Sequence, residues 1–261
     1  MINLLKSFLT NPLLRGLDID APETTIIRSH LIQSKPFLKK VYEYWYTNIS
    51  TSIPSTLEGK ILELGSGGGF TGNYIPNLIT SEILMIPGIN VTLDGQKLPF
   101  KKKSLKGIIM LDVLHHIPNV DHFFDEASRC IKSGGVIVLH EPWVTTWSRL
   151  IYKYLHHEPF DKLIEEWGLP KGGPLSQANS ALPWIVFSRD RELFEQKYPQ
   201  LIVKKIQLQS PFCYLLSGGV SLRSFLPGFL FNFCLLIENL LKPFLKNTAM
   251  FATITIEKKS E

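Results

Sequence analysis

Lys60-Ile-Leu-Glu-Leu-Gly-Ser-Gly-Gly-Gly69 is the stretch on which the reading of this chain turns. Ile61 to Leu64 is a short apolar run broken only by Glu63, and glycines follow it at once. Such a run, bounded by a turn signal, reads as a buried strand. In an open α/β sheet, ligands sit beyond the carboxyl ends of the strands, so Gly65, Ser66, Gly67 and Gly69 stand where a ligand belongs. Missing Cβ atoms let the backbone turn sharply and approach that ligand, and the N–H groups of a helix starting after the turn face inward. Glu63, one residue before the strand ends, adds an acid.

The glycines alone admit a decoy, because Gly67-Gly-Gly-Phe-Thr-Gly72 satisfies the dinucleotide pattern G-x-G-x-x-G. The frame argues against it. The first dinucleotide glycine follows the strand directly, and counting from Gly65 puts the third required glycine at Phe70. No G-K-[S/T] occurs, which excludes a P-loop.

Downstream, short apolar runs alternate with turns: Ile79 to Leu84, Val91 to Leu93, Gly107 to Leu111 and Val136 to Leu139. That rhythm predicts a parallel α/β sheet. Between the last two runs, Asn119 or Asp121 can cap a helix with Phe123, Phe124, Ala127 and Ile131 at helical spacing, ended by Gly134-Gly135. Proline-rich sequence from 141 to 200 then breaks the rhythm before a helix predicted over Arg189 to Lys197. Leu201 to Leu208 and Phe251 to Ile256 are late strands that can close the sheet as a pair. Upstream, residues 1–58 read as a helical cap rich in aromatics (Phe37, Tyr42, Tyr44, Trp45, Tyr46). The expected division is therefore a cap over 1–58 and a second unit over 59–261, with insertions near 141–200 and 209–248.

Four segments in order carry a resemblance: Glu63-Leu-Gly-Ser-Gly-Gly-Gly69, Leu93-Asp-Gly-Gln-Lys-Leu-Pro-Phe100, Leu111-Asp-Val-Leu-His-His-Ile-Pro118 and Glu126-Ala-Ser-Arg-Cys-Ile-Lys-Ser-Gly-Gly135. Over about residues 58 to 141 the chain resembles class I S-adenosylmethionine-dependent methyltransferases of the small-molecule branch that includes the ubiquinone and menaquinone enzymes. The resemblance implies a doubly wound, mainly parallel, seven-stranded Rossmann-like sheet with the helical cap and insertions over the site. It implies S-adenosyl-L-methionine as cofactor, with Gly65, Ser66 and Gly67 at its methionine part, Asp94 and Gly95 at the adenine, Asp112, Val113 and His116 edging the sulfonium, and Glu63 and Gly69 among the cofactor-binding residues. The family places an acid at the end of the second strand for the ribose hydroxyls. Glu82 is that candidate, although it lies only 17 residues past Gly65, too close for the usual intervening helix.

Methyl transfer from a sulfonium is an in-line displacement that needs positioning, plus a base if the acceptor is a hydroxyl. Candidate bases follow strand ends: His140 and Glu141 after the Val136 strand, and His115-His116 after the Gly107 strand. His156-His157-Glu158 in the insertion is a third set, with His157 foremost. Adjacent residues do not present a convergent tetrahedral set without distant partners, so no metal is expected.

The chain has 261 residues and a formal charge of +5. Its lysines near 97–106 are not interleaved with aromatics and read as a solvated loop, so no nucleic-acid partner is expected. Three cysteines without a C-x-x-C pair indicate neither disulfides nor zinc, and fit a cytoplasmic location. Residues 1–10 lack a small-residue cleavage site after their apolar run, and no signal peptide or membrane span is expected. The stretch 211–245 is dense in Phe and Leu. It reads as core, as a homodimer contact or as a peripheral membrane contact, and with the aromatic cap it points to a small apolar acceptor such as a lipid, quinone or secondary metabolite. A glycan acceptor, a non-catalytic cofactor-binding protein and a nicotinamide oxidoreductase are the competing readings.

Overall fold

The computed structural model describes residues 10–156, 158–169 and 171–260. The segment weighed above as a signal peptide falls almost wholly outside the described residues, as does His157. Seven strands form one sheet: β1 (Lys60–Leu64), β2 (Leu78–Glu82), β3 (Val91–Thr92), β4 (Leu105–Leu111), β5 (Ile131–Pro142), β6 (Leu201–Gln209) and β7 (Phe251–Lys258). Their order is β3-β2-β1-β4-β5-β7-β6. Pairings among β1 to β5 are parallel, whereas β7 runs antiparallel to both β5 and β6. The sheet is therefore mixed, with one reversed strand.

Side chains alternate faces along a strand, and both faces here are buried. Ile108 and Met110 of β4, with Ile137 and Leu139 of β5, join a cluster that includes Phe123, Phe124, Phe187 and Phe194. Ile109, Val136 and Val138 face the other way, toward Ile49 and Ile75. Helix α2 (Pro36–Thr51) packs on that second side through Ile49, and helix α1 (Pro22–Ser34) packs against α2. Trp45 of α2 is buried, donates from Nε1 to Ser210 Oγ at 3.1 Å, and lies against His140 and Phe251. Burying each such large apolar side chain stabilises by about 1.5–3 kcal/mol.

Three local expectations are corrected. The glycine turn is followed by a three-residue 3-10 turn, Thr71–Asn73, and not by an α-helix, because few residues separate β1 from β2. Helix α3 (Val120–Cys130) ends before Gly134-Gly135, since Ile131 is already extended and opens β5. Those glycines sit inside β5 where its register against β4 shifts; a Cβ on Gly135 would stand 2.6 Å from Lys106 O. The predicted 189–197 helix is the shorter helix α5 (Arg191–Lys197), preceded by a π-turn over Ile185–Arg189.

Among the described residues no single helix is long and apolar enough to cross a membrane. Helix α6 (Phe231–Leu240) belongs to a pair, Gly228–Leu240 with Lys242–Thr248, that passes on length and composition but is bent by 59°.

Candidate functional site

A cavity of about 750 Å³ opens at the carboxyl ends of β1, β2 and β4, within the range of small-molecule sites. Its floor is the glycine turn. Gly65 and Gly67 both adopt left-handed backbone, at φ 63° and 45°, a conformation that favours glycine. A Cβ on Gly65 would meet Val113 Cγ2 at 2.5 Å, so the first glycine also makes room for the turn after β4. Ser66 is buried; its N–H donates to Ser81 O at 2.8 Å, and its hydroxyl accepts from Ser81 N at 3.1 Å.

Gly68 and Gly69 border the cavity as well and also answer to packing. A Cβ on Gly69 would stand 2.6 Å from Tyr46 Oη, and one on Gly68 would stand 2.5 Å from Ser29 Cα. The N-terminal helices thus rest on the turn itself, and the Tyr46 hydroxyl accepts from Phe70 N at 3.3 Å.

The acids expected at the floor all border the cavity. Glu63 is buried and accepts from Thr71 Oγ1 at 2.6 Å, and burial pushes its carboxyl above the usual range. Glu82, at the end of β2, accepts from Gly67 N at 2.9 Å and from Ile83 N at 2.8 Å, and burial raises its carboxyl too. Asp94 is exposed and accepts from Gln96 N at 2.8 Å, which shapes the turn at Gly95. Arg129 clamps that turn from α3, donating to Phe100 O at 2.7 Å and Leu98 O at 2.9 Å while bridging Glu126 at 2.8 Å. The second and fourth sequence motifs are thereby joined.

Asp112 follows β4 in left-handed backbone at φ 64°, a costly conformation for a residue with a Cβ, and its N–H donates to His140 O at 2.8 Å. Burial pushes its carboxyl up to about 6, against the pull of His115. Glu141 is fully buried. One of its oxygens accepts from Val113 N at 2.9 Å and Leu114 N at 2.7 Å, and the other lies 2.7 Å from His115 Nδ1. His115 Nε2 in turn lies 3.2 Å from Glu158 Oε2, and His116 Nε2 lies 3.5 Å from Glu158 Oε1. Burial alone pushes the His115 imidazole down, but the two carboxylates more than reverse this and hold it well above its ordinary value. For Glu158, burial is likewise outweighed by the facing histidines, and the carboxyl is held well below its ordinary range.

His140 does not border the cavity. It is fully buried between Trp45 and Phe251, with Nδ1 3.0 Å from Thr253 Oγ1, and burial drives its imidazole down to about 3. Glu141 does not border it either; it holds the turn after β4. His116, His156 and Glu158 do border it.

Among the cavity residues, Arg28, Trp147 and Ile151 gave no signal in the sequence. Arg28 of α1 is the one Lys or Arg among the lining residues, and its buried Nε has no hydrogen-bond partner among the described residues. Tyr42, Trp147, Ile151, Tyr214 and Phe225 roof the far half. Lys35, between α1 and α2, ties this roof down by donating from Nζ to Gly219 O at 2.6 Å and to Leu222 O. These positions lie in helices and loops whose amphipathic patterns are those of any packed segment.

Comparison with known proteins follows the same lines. Residues 77–139, about a quarter of the chain, match the family model described as a methyltransferase domain. No curated protein sequence matches. Among solved structures, geranyl diphosphate C-methyltransferase from Streptomyces coelicolor, bound to Mg2+, geranyl diphosphate and S-adenosyl-L-homocysteine, aligns at 10% identity and a TM-score of 0.51. That alignment covers 96% of this chain and 89% of that one. A chain from the Haloferax volcanii complex of the Trm112 methyltransferase activator with a methyltransferase aligns at 11% identity and a TM-score of 0.50, covering 90% and 98%. At these identities the likeness is one of fold.

Proposed function

We propose that this chain is an S-adenosyl-L-methionine-dependent methyltransferase that moves a methyl group to a small apolar acceptor taken up at a lipid surface. The observation that carries this reading is the cavity itself, which joins an acidic floor at the strand ends to an apolar, aromatic roof in one continuous space. When bound, the cofactor supplies a sulfonium methyl group for in-line displacement.

The floor suits a cationic, hydroxyl-bearing ligand. Glu82 stands where ribose hydroxyls are met at the end of the second strand, with its carboxylate oriented by Gly67 N and Ile83 N. Asp94 and Gly95 would hold the adenine end, and Asp112 and Val113 would edge the sulfonium. Arg28, the cation of the lining, would pair with the methionine carboxylate. Gly65, Ser66 and Gly67 would bring backbone against that same part.

The roof suits an apolar acceptor, and its outer surface suits a membrane. Phe229, Phe233, Leu236 and Leu240 are exposed by 57–80% and recur every three or four residues along the first limb of the bent pair, and Phe244, also exposed, lies beyond the bend. The charges exposed on residues 211–250 are Arg223, Lys242 and Lys246, all cationic, because the single acid, Glu238, is buried and accepts from Phe212 N and Cys213 N. An exposed apolar face with cationic residues beside it fits an anionic lipid surface.

The test is methyl transfer from labelled S-adenosyl-L-methionine into a lipid extract and, separately, a glycan extract. Label in the lipid fraction supports the reading. Label only in glycans replaces the acceptor, and S-adenosyl-L-homocysteine binding without transfer to either makes the chain a non-catalytic binder.

A further inference from the structure

Three side chains from two distant parts of the chain converge where the floor meets the roof. His115 and His116 lie on the turn after β4, and Glu158 lies beyond helix α4 (Thr146–Tyr154). One ligand-type atom from each lies within 4.8 Å of the others. The sequence expectation of no metal rested on the lack of distant partners for His156-His157-Glu158, and the fold supplies two.

Each ring has its far nitrogen held by another group. A carbonyl only accepts, so His116 Nδ1, 3.0 Å from Gln177 O, carries a proton, and Nε2 is the ring atom turned toward Glu158. Glu141, already committed to two backbone N–H groups, takes the Nδ1 proton of His115 and aims Nε2 at the other Glu158 oxygen. That Nε2 atom is buried and has no aligned hydrogen-bond partner among the described residues. Metal-binding histidines are oriented in this way, the far nitrogen of each ring being held by a carboxylate or a carbonyl. In the metal-free chain the Glu141 and Glu158 carboxylates hold a proton on His115, so an ion would bind in competition with that proton.

The spacing agrees. Zinc bonds of about 2.0–2.1 Å at tetrahedral angles put neighbouring ligand atoms about 3.3–3.4 Å apart. Each Nε2 lies near that distance from a different oxygen of the Glu158 carboxylate, His115 at 3.2 Å from Oε2 and His116 at 3.5 Å from Oε1.

We infer that His115 Nε2, His116 Nε2 and the Glu158 carboxylate form a site for a divalent transition metal ion of the zinc type, with an open coordination position facing the cavity. Two imidazoles and a carboxylate suit zinc and its neighbours better than magnesium or calcium, which prefer all-oxygen sets. The site stands independently of the methyltransferase reading. If that reading holds as well, the ion faces the acceptor and polarises an oxygen on it.

The test strips the full chain with a chelator and titrates it with Co2+ and with Zn2+, following visible d–d absorption, bound metal by elemental analysis and melting by circular dichroism. One equivalent of tetrahedral Co2+ and a Zn2+-dependent rise in melting temperature are expected. His116→Ala and Glu158→Gln should each weaken binding by more than about tenfold, and Glu141→Gln, which alters only the support of His115, by about 10- to 100-fold. The variants' melting curves report whether they fold. Uptake below about a tenth of an equivalent by the unsubstituted chain, where one is expected of a closed set of ligands, overturns the inference whatever the variants do. So does uptake unchanged in both His116→Ala and Glu158→Gln. S-adenosyl-L-homocysteine binding to the unsubstituted chain, measured without metal, tests the cofactor half of the methyltransferase reading separately.

Discussion

The Ser29 hydroxyl donates to the Gly68 carbonyl at 3.1 Å, and a Cβ on Gly68 would stand 2.5 Å from Ser29 Cα. Backbone-to-backbone approach of this kind leaves no flexible atom to move aside. Gly68→Ala should therefore destabilise by about 1–3 kcal/mol, as overpacking does, and weaken cofactor binding by displacing the turn. Gly72→Ala is the control, since nothing lies within 4 Å of its Cβ position. Thermal melting of both variants checks this; equal melting temperatures would contradict the docking.

The cofactor floor can be probed by calorimetry with S-adenosyl-L-homocysteine. Glu82→Ala removes the acceptor that holds Gly67 N and Ile83 N. Hydrogen bonds to charged groups are worth about 1.5–3 kcal/mol, so the dissociation constant should rise by about 10- to 100-fold. Arg28→Met should cost about tenfold if the cation meets the methionine carboxylate. Unchanged affinity in both would remove these residues from the site.

His140 offers a pH test. Its folded-state value of about 3 lies below the ordinary 6.5 because burial disfavours the charged ring. Below pH 6.5 the unfolded chain takes up a proton that the folded chain refuses, so stability is full above that pH and falls as pH drops toward 3. The loss amounts to roughly 4 kcal/mol at the acid end. His140→Phe should flatten this part of the curve relative to the unsubstituted protein, as read by denaturant midpoints at pH 7, 5 and 4. Parallel curves would show that the ring does not titrate as its burial demands.

The exposed face of residues 229–244 should bind vesicles containing anionic lipid. Phe233→Glu with Leu240→Glu should reduce co-sedimentation by at least about tenfold while leaving melting temperature near its starting value, because both side chains already face outward. Added salt should weaken binding, as Lys242 and Lys246 contribute by charge. A homodimer on this face would instead show as a concentration-dependent mass lost in the same double variant.

The four ordered motifs from Glu63 to Gly135 were legible because strands and turns are local events: short apolar runs, glycines at strand ends and a capping Asn119 depend on neighbours in sequence. Glu63, Gly65, Ser66, Gly67, Glu82, Asp94 and Asp112 accordingly stand along the cavity where they were expected. His140 was misread for the same reason. Following a strand end places a residue near the right level of the sheet, but whether its ring faces the cavity or the core depends on Trp45 and Phe251, which lie far away in the chain.

Residue type and order thus settled the α/β sheet and the position of the glycine turn, since steric and hydrogen-bonding preferences act over a few residues. The reversed β7, the seat of α1 and α2 on Gly68 and Gly69, the placing of Arg28, and the meeting of His115 and His116 with Glu158 were decided only by tertiary packing. Those contacts join segments tens of residues apart, and their geometry exists only once both faces of the sheet are covered.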